Sequence, residues 1–95
     1  MLNGDQLDAA RVAVWLMARH ADSAGAWIEA QPAALAKACG LDQRAARAAI
    51  ARLVARGFVA LERRAGAFWL QPTAAGRGPL GAYVLGYAAM RLTDG

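Results

Sequence analysis

Residues 35–57 read LAKACGLDQRAARAAIARLVARG, and everything else in the chain can be placed from them. Gly40 and Gly57 each follow a helix-favouring run, where a helix ends on a left-handed residue that glycine adopts without a Cβ penalty. Asp42 is a good N-cap, because its carboxylate accepts from the free amides of a new helix. The spacing therefore predicts a helix over 42–56. Within it Ala46, Ala49, Ile50 and Leu53 recur at i, i+3, i+4 and i+7, which is one buried stripe. Burial of that stripe turns Arg44 outward with Ala48 and Ala51, and leaves Arg47 and Arg52 on the two shoulders.

Working upstream, Pro32 suits the first turn of a short helix that ends near Cys39, since the amide it lacks is unpaired there anyway. Ala36 is small enough to let two helices cross closely, and Leu41 is expected to pack back after the turn. A first helix is predicted from a cap at Asn3 or Asp5, with Asp5 and Asp8 early and Arg19 and His20 late, as the helix dipole favours. It carries Leu7, Val12, Trp15 and Leu16, and Ser23-Ala24-Gly25 breaks it. Ala26-Trp27-Ile28-Glu29 reads as a brief strand.

Downstream of Gly57 the period changes from 3.6 to 2. Residues 58–63 and 67–71 alternate loosely around a turn at Arg64-Ala65-Gly66, which predicts a hairpin stopped by Pro72-Thr73. Trp15, Trp27, Phe58 and Phe68 are expected in the core. Trp69 is expected to point outward as a partner surface, if Phe68 and Leu70 point in. Gly76-Arg77-Gly78-Pro79 reads as a flexible stretch before a last helix from about Pro79 to Leu92. That helix is apolar on more than one side. The expected organisation is one domain over 1–77 and a terminal helix over 78–95 that serves as a dimerisation element.

Ninety-five residues allow one hydrophobic core, and 58% hydrophobic against 19% charged residues describes a folded chain. Much of the hydrophobic share is alanine, so the core is thin in large side chains. The net charge of +4 favours polyanions, and arginine supplies nearly all the positive charge, with Lys37 the only lysine. Genomic composition bias alone enriches Ala, Arg and Gly, so placement rather than abundance carries the reading. One cysteine and one histidine exclude an internal disulfide framework and a Cys/His zinc cluster. The scattered acids form no spaced catalytic pair, and the glycines form no phosphate-binding loop. No enzyme, metal site or cofactor is expected. The N-terminus lacks a signal-peptide pattern, and the apolar runs fall short of the ~20 residues that span a bilayer, so a cytoplasmic protein is expected.

The order helix, strand, helix, tight glycine turn, helix, hairpin resembles the winged helix-turn-helix family. The likeness rests on Leu35-Ala36-Lys37-Ala38-Cys39-Gly40-Leu41-Asp42 and on Ala49-Ile50-Ala51-Arg52-Leu53-Val54-Ala55-Arg56-Gly57-Phe58-Val59. The exit Phe68-Trp69-Leu70-Gln71-Pro72-Thr73-Ala74-Ala75-Gly76-Arg77 is similar to the ending of MarR-like bacterial regulators. The resemblance covers roughly residues 5–77. It implies an α+β fold with a three-helix core, a small antiparallel sheet or wing, and here a C-terminal helix. It also implies a transcription regulator that inserts helix 42–56 into the major groove of double-stranded DNA, working as a homodimer on half-sites ~34 Å apart.

By position, Gln43, Arg44 and Arg47 are the candidates for base edges, and Arg52 and Arg56, further along, for phosphate or internal pairing. Arg63 and Arg64, near the hairpin turn, are candidates for the adjacent backbone or minor groove. The alternative for each arginine is a solvated surface charge. Ala45, Ala48 and Ala51 offer few hydrogen bonds, which points to phosphate-driven binding. Two rival functions share the fold: an adaptor that docks protein on the alanine-rich helix and Trp69, and a phage or plasmid replication or maintenance protein. Cys39 is expected as a buried apolar residue, not as an oxidant sensor, and His20 as an ordinary helix-end group.

Overall fold

The computed structural model describes residues 4–22 and 26–94, the side chains of residues 22, 93 and 94 aside. The elements are α1 (Gly4–Asp22), β1 (Ile28–Ala30), α2 (Pro32–Cys39), α3 (Gln43–Ala55), β2 (Val59–Arg64), β3 (Ala67–Pro72) and α4 (Arg77–Asp94). Among the described residues this is an α+β fold of four helices and one three-stranded antiparallel sheet, in the order β1-β3-β2. The caps expected of Asn3 and the break at Ser23-Ala24-Gly25 lie outside the described residues.

Both turns around α3 follow from glycine. Gly40 sits at φ 69° and the Leu41 amide donates to the Ala36 carbonyl at 2.8 Å, which closes α2. Gly57 sits at φ 76° and the Phe58 amide donates to Leu53 at 3.0 Å, which closes α3 in the same way. In both cases the residue after the glycine is apolar and packs against the core. Asp42 caps α3 by accepting from the Ala45 amide at 2.7 Å. Ala46, Ala49, Ile50 and Leu53 are all buried, as the stripe requires.

The largest fully buried side chains are Leu16, Leu35, Leu53, Leu70, Leu80 and Val12. Alanines fill the close approaches between helices: Ala9, Ala10, Ala13 and Ala46 have no exposed surface. Trp15, Phe58 and Phe68 are half-buried against this core. Trp27 departs from expectation, since it lies beside Arg64 rather than in the core.

The last helix begins earlier than expected. Residues 77–79 are helical, and the Leu80 amide donates to the Gly76 carbonyl at 2.8 Å. The Gly-Arg-Gly-Pro stretch is thus the start of α4 and not a linker, because Pro79 stands in the first turn where its missing amide costs nothing. Leu80 is fully buried and α4 packs along α1, so this helix completes the core. Its outer side leaves Leu85 and Leu92 72% and 84% exposed.

Candidate nucleic-acid interface

The hairpin register separates two neighbouring arginines. Arg63 lies opposite Phe68 and Arg64 opposite Ala67, so the two side chains leave β2 on opposite faces of the sheet. Arg63 shares the helix side with Leu61 and Leu70 and stacks its guanidinium carbon 5.3 Å from the Phe68 ring centre. Arg47, from α3, reaches the same ring at 5.9 Å. Neither makes an ion pair among the described residues.

Arg64 has a different environment. It pairs with Glu62 and stacks on Trp69 at 5.3 Å and on Trp27 at 6.0 Å. Glu29, Trp69 and Glu62 form one cross-strand row on this outer face. Trp69 is therefore half-buried, with Arg64 against its ring, and is not the open partner surface that strict alternation suggested. The edge strand β1 brings Glu29 beside it, and the cation comes from the neighbouring strand. That face mixes acid, indole and a neutralised cation.

Along α3 the candidates divide in the same way. Gln43, Arg44 and Arg47 are exposed, and Arg44 has no ion pair among the described residues. Arg52 turns toward α1 and pairs with Asp5 at 3.1 Å. With 33% and 71% of the two side chains exposed, this pair is worth at most about 1 kcal/mol, but it occupies the cation. The structure thus gathers Gln43, Arg44, Arg47 and Arg63 on α3 and the helix side of the hairpin, and sets Arg52 and Arg64 apart with carboxylate partners.

Thr73, at the expected stop of the hairpin, holds this arrangement. The Thr73 hydroxyl donates to the Gly57 carbonyl at 2.6 Å and accepts from the Gly76 amide at 2.9 Å. The Thr73 amide donates to Phe58 at 3.1 Å. One threonine therefore ties the end of α3 to the exit of the hairpin, which fixes the angle between the two arginine-bearing elements. A Pro-Thr followed by Gly after a strand was the available signal.

Cys39 is buried, with its Sγ 3.8 Å from the Arg11 carbonyl. Burial pushes the thiol above its ordinary range, against a smaller opposing pull from Arg11, a basic neighbour from α1 that sequence proximity did not reveal. A raised thiol is a poor nucleophile. Among the described residues no group of three or more His, Cys, Asp or Glu could hold a metal ion, and no helix is long and apolar enough to cross a membrane. Comparison with protein-family models and with curated proteins found no match.

Proposed function

We propose that this chain is a winged helix-turn-helix protein of the kind resembling MarR-like regulators, a cytoplasmic DNA-binding transcription regulator that sets α3 in the major groove of duplex DNA. The observation that carries this reading is the placement of Arg44, Arg47 and Arg63. Three guanidinium groups on α3 and the hairpin face solvent without carboxylate partners among the described residues, while Arg52 and Arg64 nearby are paired. Exposed cations without carboxylate partners among the described residues, carried on a helix and the adjacent hairpin, suit a polyanion. The exposed Ala48 and Ala51 add methyl contacts but no hydrogen bonds, so phosphates supply most of the affinity.

A salt titration tests the reading. Wild-type protein should bind random duplex in fluorescence anisotropy, with log affinity falling linearly in log salt by about 0.9 per phosphate contacted. No binding at low salt would point instead to the rival role, an adaptor that docks protein on the alanine-lined side of α3.

The protein is further proposed to work as a homodimer through α4. Ala82, Leu85, Ala89 and Leu92 fall on one exposed stripe at alternating three- and four-residue spacing, the pattern of a helix-pairing seam. The stripe carries no charge, and an antiparallel twofold pairing centred between the two leucines would set Leu85 of each copy against Leu92 of the other. Sedimentation velocity of wild type and of Leu85→Glu/Leu92→Glu tests this: a dimer that becomes a monomer supports it, and a monomeric wild type refutes it.

A further inference from the structure

A groove of about 300 Å³ lies between α3, the hairpin turn and the start of α2, lined by Pro32, Arg47, Arg63, Arg64, Phe68 and the Ala65-Gly66 turn. We propose that this groove is a phosphate clamp, in which Arg47 and Arg63 jointly hold one phosphate of the DNA backbone above the Phe68 ring. The proposal rests on the DNA-binding reading and deepens it.

Two guanidinium groups meet on one aromatic ring without a carboxylate partner among the described residues. Both side chains also line the one groove, so an anion seated there can take a charge-assisted contact from each. Contact with the ring restrains both side chains, so less freedom remains to be lost when an anion arrives. Glu62 cannot serve as an internal substitute, because it lies on the other face and is paired with Arg64. Pro32, the first residue of α2, forms a further wall, and the cap residue Gln31 makes no side-chain bond to that helix. The volume is about ten times a water's share of the liquid, room for a phosphodiester and its adjoining sugar.

This assignment changes the role of Arg47. It is a positioning contact to the backbone, and base edges are left to Gln43 and Arg44. The clamp joins the reading helix to the hairpin through one ligand atom group, so it sets the register of both on the duplex.

The test is duplex binding across salt with wild type, Arg47→Ala, Arg63→Ala and the double variant, each checked for fold by circular dichroism. One shared phosphate predicts that the double variant lowers the salt slope by about 0.9 in total, with neither single variant lowering it by more than that. A double variant that loses about 1.8, or one whose slope is unchanged, would overturn the clamp while leaving DNA binding intact. The second arm titrates isotope-labelled wild type with inorganic phosphate and follows the arginine Nε resonances. Joint saturable shifts at Arg47 and Arg63, with Arg44 still, support the clamp even in a protein that binds no duplex. In that event the DNA reading falls and the anion site stands. A protein that binds no duplex and shows no such shifts refutes both.

Discussion

A Cβ on Gly76 would fall 1.9 Å from the carbonyl oxygen of Phe58, well inside any real contact. The start of α4 rests directly on the backbone that leaves α3, and both sides of that contact are backbone, so neither can swing aside. Gly76→Ala should therefore destabilise the fold by about 2–3 kcal/mol in urea titration. Two residues on, a Cβ at Gly78 would meet nothing within 4 Å, and the position is helical. Gly78→Ala should stabilise by about 0.5–1 kcal/mol. Equal effects at the two positions would show that the close approach is wrong.

The hairpin turn offers a second prediction. Ala65 and Gly66 both take positive φ, 49° and 79°, the two-residue turn whose twist matches its strands. Alanine is strained there, and asparagine tolerates the left-handed region better. Ala65→Asn should raise stability by about 0.5–1 kcal/mol. A lower melting temperature would place the turn elsewhere.

Burial of Cys39 makes stability fall at alkaline pH. Its thiol is raised in the folded chain, whereas the unfolded chain releases that proton at the ordinary thiol pKa. Below the ordinary value both states are protonated and nothing is lost. As pH rises through it toward the folded value, the unfolded state alone ionises and gains. Cys39→Ala should flatten that decline. Native alkylation by iodoacetamide at pH 8 should run at least roughly tenfold slower than in urea, because the reactive thiolate is suppressed and covered. Matching rates would contradict a buried thiol.

Local signals in the sequence were enough to place α2 and α3, because each boundary there is set by a neighbouring residue: Pro32, Gly40, Asp42 and Gly57. The stripe of α3 and the hairpin followed from period alone. What escaped depends on contacts between distant segments. Arg63 and Arg64 are adjacent, yet only the pairing of β2 with β3 shows that one joins Phe68 and the other Trp69. The Arg52–Asp5 pair depends on how α1 lies beside α3. Trp69 looked exposed because alternation ignores cover supplied by a neighbouring strand. Gly76 to Pro79 looked like a linker because glycine's two uses, freedom and close approach, read alike without coordinates.

Whether the arginines without an ion pair among the described residues form the DNA face is decided by removing the same charge from two places. Arg44→Ala/Arg47→Ala and Arg52→Ala/Arg64→Ala each subtract two positive charges, the first from groups without an ion pair among the described residues and the second from those with carboxylate partners. At fixed low salt, the first pair should weaken random-duplex affinity by at least about a hundredfold, or roughly 2.7 kcal/mol, and the second by less than about tenfold. Equal losses would mean that net charge alone attracts DNA, and a larger loss in the second variant would contradict the assigned face.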